Sequence, residues 1–148
     1  MKVLCVDAGL FIALYDDRDP LHDKAIDYFD QCVDNSPCQL IVPWPILYET
    51  VSTRMARDLR RVEALRRHWE ALNRMRKLVF MDDSPYRDRA VDECLEEVGR
   101  GQHYRGLSLV DRVLRGILSD SNVRIDAFVT FNDRDFWDVC TSTECVIP

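Results

Sequence analysis

The sequence predicts a single α/β domain, a three-layer α/β/α sandwich built on a short, mainly parallel central sheet. Three observations carry this. Short apolar runs rich in β-branched residues alternate with amphipathic segments of helical period. The runs are apolar throughout rather than at every second position, as strands covered on both faces are. The 148 residues, 47% hydrophobic and 31% charged, suit one buried core. The domain spans 1–148, without internal repeat, low-complexity stretch or linker.

The elements follow in order. Lys2–Val6 reads as a first buried strand, and a short helix over Leu10–Leu14 starts just past Asp7-Ala8-Gly9. Asp16-Asp17-Arg18-Asp19-Pro20 is a turn. A helix then begins at Pro20 or Leu21, with Ala25, Ile26, Phe29 and Val33 at near-helical period. Asn35-Ser36-Pro37 ends it, and Gln39–Val42 forms the second strand. Pro43-Trp44-Pro45 precedes one helix from Ile46 to Arg57. A long helix over Leu59–Arg76 follows, with Val62, Leu65, Trp69 and Leu72 on one side. Leu78–Met81 is the third strand. Pro85 suits the first position of a helix running to Val98, where Gly99-Arg100-Gly101 stops it. Ser108 is an N-cap for a helix to Leu118. Ala127–Phe131 is a fourth strand, 132–139 a loop with a short helix, and 145–147 a last strand.

Several function classes are excluded early. No apolar run reaches the roughly 18–20 residues that cross a bilayer, so no membrane partner is expected. The start of the chain meets Asp7 too soon for a signal peptide, which makes a cytoplasmic location the expectation. Cys5, Cys32, Cys38, Cys94, Cys140 and Cys145 form no Cys-x-x-Cys pair and read as reduced thiols rather than zinc ligands. His22, His68 and His103 have no Cys or acidic partner at a catalytic spacing. Gly99-Arg100-Gly101 lacks the Lys-Ser/Thr of a phosphate loop.

The net charge of −6 argues against a protein that coats nucleic acid. The charge is uneven, however. Arg54 to Lys77 holds nine basic and three acidic residues, a +6 segment that leaves −12 for the remainder. Such a segment can grip a phosphate backbone locally. Its bland reading is a solvated helix face laced with Asp and Glu.

Ligands of parallel α/β sheets sit at the carboxyl ends of the strands. Asp7 directly follows the first strand, and Asn132, Asp133 and Asp135 directly follow the fourth. Glu49 and Asp111 lie in early helical turns and interrupt apolar stretches, Ile46-Leu47-Tyr48-Glu49-Thr50-Val51 and Leu109-Val110-Asp111-Arg112-Val113-Leu114. A carboxylate buried there without a partner is costly, and a metal ion would supply one. Each acid taken alone is more simply a turn or cap residue.

Four motifs in order resemble the PIN-domain nucleases over essentially the whole chain. They are a strand ending in acid and a small residue (Val3-Leu4-Cys5-Val6-Asp7-Ala8), a Glu early in a helix after the second strand (Glu49), Leu107-Ser108-Leu109-Val110-Asp111, and Thr130-Phe131-Asn132-Asp133-Arg134-Asp135-Phe136. The resemblance implies a metal-dependent endoribonuclease, similar in size to the VapC-like toxins of toxin–antitoxin pairs. It implies Asp7, Glu49, Asp111 and Asp135 as the catalytic acids, and Asp7, Glu49, Asp111 and Asn132 as the Mg²⁺ or Mn²⁺ ligands. Ser108 and Thr130 would orient ligands or waters from behind. The chain departs from the family at the fourth acidic position, which falls on Asn132, on Asp133 one residue on, or on Asp135 beside Phe136.

The partners implied are RNA, gripped by Arg57, Arg60, Arg61 and Arg67, a cognate antitoxin, and a second copy of the chain meeting through Phe11, Trp44 and Tyr48. Trp44, Trp69 and Trp137 suit base stacking less well than packing. The alternative is a catalytically weak or inactive PIN-like module that binds RNA or regulates. A receiver- or phosphatase-type domain is disfavoured, because Ala8-Gly9-Leu10 rather than a second acid follows Asp7.

Overall fold

In the computed structural model, which describes residues 1–99, 101 and 105–148, five parallel strands form one sheet in the order β3-β2-β1-β4-β5. They are β1 (Lys2–Val6), β2 (Cys38–Pro43), β3 (Leu78–Met81), β4 (Ala127–Val129) and β5 (Glu144–Val146). Leu4 of β1 stands between Leu40 of β2 and Ala127 of β4. All three are buried, which explains the unbroken apolar runs. β4 stops two residues short of the expected Phe131, because the chain turns at Thr130 to serve Asp7. β5 begins one residue before the expected strand.

The helices are α1 (Ala8–Tyr15), α2 (His22–Tyr28), α3 (Trp44–Thr50), α4 (Thr53–Ala56), α5 (Leu59–Arg74), α6 (Ser84–Val98) and α7 (Leu109–Leu118). Their ends follow local chemistry. Asp7 caps α1 by accepting from the Ala8 N–H, Asp58 caps α5, and Pro residues sit in the first turns of α3 and α6. Ser108 and Asp111 form a reciprocal capping box on α7. The single helix expected over Ile46–Arg57 is two, broken at Val51-Ser52, where Val51 leaves the helical region with ψ 47°. α2 widens into a π-helical stretch at Phe29–Asp34. There Phe29 and Val33 stay buried, while Ile26, expected inside, is 42% exposed.

Connections between parallel strands are right-handed. The chain steps from β1 to β2 to β3 in one direction, so α1 to α5 cover one face. It then crosses back to β4, and α6 and α7 cover the other. The direction reverses beside β1, and that switch point opens a crevice at the carboxyl ends of β1 and β4.

On the first face the ring of Phe11 lies 5.6 Å from that of Phe29 and 5.4 Å from that of Trp69. Elsewhere in the core Phe128 and Phe136 meet edge to face at 4.8 Å. Each fully buried ring contributes about 1.5–3 kcal/mol. The apolar side of α5 is as expected, with Leu65, Trp69 and Leu72 buried.

Three polar links cross this framework. Asp16, 1% exposed, takes Arg61 at 2.5 Å and Arg54 at 2.6 Å. Tyr15 bonds His68 Nδ1 at 2.7 Å, and His68 Nε2 bonds Asp34 at 2.9 Å. His68 therefore does have an acidic partner, brought from 34 residues away by the end of the π-helical stretch, but the chain closes on a buried Tyr and is a packing link. His22 Nδ1 meets the Ala13 carbonyl at 2.7 Å, and His103 lies outside the described residues. Arg112 and Glu97 form a buried ion pair between α7 and α6. The six thiols are unpaired. Among the described residues no helix is long and apolar enough to cross a membrane.

Candidate active site

Asp7 leaves β1 at the switch point with both carboxylate oxygens engaged. Oδ1 accepts from the Ala8 N–H at 2.7 Å, and Oδ2 accepts from the Thr130 hydroxyl at 2.8 Å. Thr130, fully buried at the end of β4, also accepts from the Asn132 N–H at 2.9 Å. One hydroxyl thus ties the first strand's acid to the loop after the fourth.

Glu49, expected in an early helical turn, stands instead in the last turn of α3, because that helix ends at Thr50, and Asp111 stands in the first turn of α7 as expected. Burial holds the Asp7 carboxyl above the usual carboxylate range, with the Asp111 charge adding to the effect and the Thr130 and Ala8 bonds opposing it. Glu49 is raised by burial and by the charges of Asp7 and Asp111. The three acids therefore feel one another across the crevice.

They are not closed on a single point. Among the described residues no three His, Cys, Asp or Glu side chains stand in a metal-holding group. Asp111 is turned into its cap, where Oδ2 accepts from the Ser108 N–H at 3.1 Å and the Ser108 hydroxyl at 2.7 Å. Ser108 is thus both the cap of α7 and the residue that holds Asp111.

The fourth acidic position divides. Asn132 donates from Nδ2 to Asp135 Oδ2 at 2.7 Å, so the Asp135 carboxylate is occupied by Asn132. Asp133 opens the following 3₁₀ turn and is exposed. Arg115 of α7 fixes this loop by donating to the Asp135 carbonyl at 2.6 Å and to both oxygens of Asp138 at 2.7 and 2.8 Å.

No family model and no curated protein matches the sequence. Solved structures do match in fold. Mycobacterium tuberculosis VapC20, described as a toxin that cleaves the sarcin-ricin loop, superposes with a TM-score of 0.64 at 15% identity, over 95% of this chain and 98% of that one. VapBC2 from Rickettsia felis, solved bound to a DNA fragment from its promoter, gives 0.60 at 10% identity over 98% of both chains. The fold is that of the PIN-domain VapC toxins. Within this fold Asp7 stands at the end of β1, bonded to Thr130 at the end of β4, and Glu49 and Asp111 lie on α3 and α7.

The residues expected outside that centre separate into groups. Arg57 and Arg60 are exposed. Arg67 is exposed and lies 3.6 Å from Glu63 one turn away. Arg61 is withdrawn as a phosphate contact, because its guanidinium is bound to the buried Asp16. Phe11 is withdrawn from any interface, being 0% exposed on the buried side of α1. Trp69 is core, Trp44 packs against Tyr48 and Phe80, and Trp137 is 69% exposed.

Sequence reasoning missed two acids. Asp16 was assigned only to a turn, and its arginine partners lie too far along the chain to be paired by pattern. Asp83, also buried, binds Arg87 through Nε at 2.9 Å and Nη2 at 2.6 Å. The i, i+4 spacing of an acid and an arginine at the start of α6 is the signal that could have found this pair.

Proposed function

We propose that the chain is a metal-dependent endoribonuclease that cleaves RNA phosphodiester bonds, and that it acts in the cytoplasm as the toxin of a toxin–antitoxin pair. What supports the reading is the VapC-like fold together with the electrostatic coupling of Asp7, Glu49 and Asp111, which come from three separate elements. Their mutual repulsion in a partly buried crevice favours a divalent cation, and an all-oxygen donor set suits Mg²⁺ or Mn²⁺. Asp7, Glu49 and Asp111 would hold the ion, with the Asn132 carbonyl as an uncharged addition. A bound ion of this kind polarises the scissile phosphate and lowers the pKa of attacking water.

The chain's own residues do the positioning. Thr130 fixes the Asp7 carboxylate, and Ser108 fixes that of Asp111. Asn132 holds the carboxylate of Asp135, which would serve as a further catalytic acid. Exposed Arg57, Arg60 and Arg67 would grip the RNA backbone. An antitoxin partner belongs to the same reading, since the VapBC2 neighbour is a two-component assembly. So does a homodimer, with Trp44, Val79 and Phe80 forming its apolar contact.

The test is cleavage of single-stranded and stem-loop RNA by the purified protein in Mn²⁺ or Mg²⁺. Activity lost in chelator and in Glu49→Gln supports the reading, and undiminished cleavage in excess chelator sinks it. Asn132 at the fourth position, bonded to Asp135, favours one alternative, an inactive module on the same fold. That alternative holds if the protein binds RNA and leaves it intact.

A further inference from the structure

A cavity of about 280 Å³ opens between α3, α6 and α7, lined by Pro45, Tyr48, Val91, Leu109, Val110 and Val113, with Asp83 and Arg87. The two helices that carry Glu49 and Asp111 also wall this cavity. Tyr48 immediately precedes Glu49, and Leu109 and Val110 immediately precede Asp111. The cavity therefore shares two of its helices with the proposed carboxylate centre.

The mouth has two planar groups. Tyr48 is 67% exposed, and the Arg87 side chain is 50% exposed. Both line the same cavity. Arg87 is not free to turn, because buried Asp83 grips it through two parallel bonds. A guanidinium held in a fixed plane and a phenol ring thus line one cavity whose remaining walls are mainly aliphatic. Unpaired bases are recognised by this kind of geometry, stacked on aromatic rings and Arg planes.

We propose that this cavity is a nucleobase subsite, which takes one splayed-out base of an RNA strand between Tyr48 and Arg87. The proposal rests on the ribonuclease reading for the identity of the strand. The Arg87 guanidinium, its edge held by Asp83, offers a stacking face that suits a planar base better than a purely apolar peptide side chain. The volume admits one base, so the subsite reads a single nucleotide next to the candidate catalytic centre.

The experiment measures binding, so it does not depend on cleavage. Single-stranded homopolymeric RNAs of about twelve nucleotides, within the span such proteins cover, are compared with an abasic ribose-phosphate oligomer of equal length and charge. The wild-type protein, held in chelator, should bind at least one base-bearing oligomer roughly 5- to 150-fold more tightly than the abasic one, the range of one stacked base. Tyr48→Ala should erase that difference, and Tyr48→Phe, which keeps the ring, should retain it. The subsite is overturned by equal binding of base-bearing and abasic oligomers, by a preference that survives Tyr48→Ala, or by a change in the protein's mass in solution on Tyr48→Ala. The last outcome would make the cavity a protein–protein contact. Base preference without any metal-stimulated cleavage would leave the subsite standing and the nuclease reading fallen. Cleavage without base preference would do the reverse.

Discussion

Thr130 donates its hydroxyl hydrogen to Asp7 Oδ2 across 2.8 Å, joining residues 123 positions apart. The bond fixes the carboxylate and leaves its charge intact. Thr130→Val keeps the shape and removes the donor, so the fold should persist while metal affinity and RNA cleavage fall about 10- to 100-fold, the usual cost of losing a group that orients a ligand. Thr130→Ser should restore most of both. Metal titration and cleavage rates on the three proteins check this, and wild-type affinity in Thr130→Val would show the bond to be idle.

Glu49 lies among like charges, and the strain is relieved when its charge is removed. Glu49→Gln should melt slightly higher than wild type without added metal. The rise in melting temperature that Mn²⁺ gives the wild type should be largely lost. Thermal melts with and without Mn²⁺ read both effects. A metal-induced rise as large in the variant as in the wild type would remove Glu49 from the ligand set.

Arg60 and Arg61 are neighbours with opposite expected outcomes. Arg61→Ala leaves the buried Asp16 with Arg54 alone and should cost about 3 kcal/mol, the low end for a broken buried pair. Arg60→Ala should leave stability within about 0.5 kcal/mol. It should instead weaken RNA binding and reduce its salt dependence by roughly one unit of slope. Denaturant unfolding and salt-dependent binding separate the two. Equal stability losses would contradict the assignment.

Asp138 is held down to about 2 by its bonds to Arg115 and by the Arg115 charge. A carboxylate depressed in the folded state contributes stability above its ordinary value of 3.8, and that contribution is lost as pH falls toward 2. Asp138→Asn should therefore be the less stable protein at neutral pH, and its stability should change less between roughly pH 4 and 2. Parallel acid-denaturation curves for the two proteins would contradict this.

The parts of the fold that were legible were those with local signals. β1 and β3 are apolar runs with clear ends, α6 opens on Pro85, and α7 opens on Ser108 with Asp111 three residues on. Each has the bounds its residues announce. The break between α3 and α4 has neither Gly nor Pro at Val51-Ser52, so periodicity ran through it. Thr130 looked like a strand residue because its β-branch says so, whereas its hydroxyl is recruited by Asp7 from the other end of the chain. The same holds for Arg61 with Asp16 and His68 with Asp34. Pairings over 45 and 34 residues leave no mark on local pattern, so one was missed as a structural link and the other was thought absent. The acids of the proposed centre were named from four spaced motifs, while the cavity that Tyr48 and Arg87 line was not legible, since it exists only once α3 and α6 pack beside α7.

The reversal of the chain at β1 also sets a timetable. Thr130 is synthesised 123 residues after Asp7. At ordinary synthesis rates that interval is roughly 6 to 25 s. Until it ends, Asp7 has neither its buried neighbour nor its hydroxyl donor, and the crevice has only one wall. On the ribonuclease reading proposed above, a nascent chain lacks part of its site until Thr130 has been made.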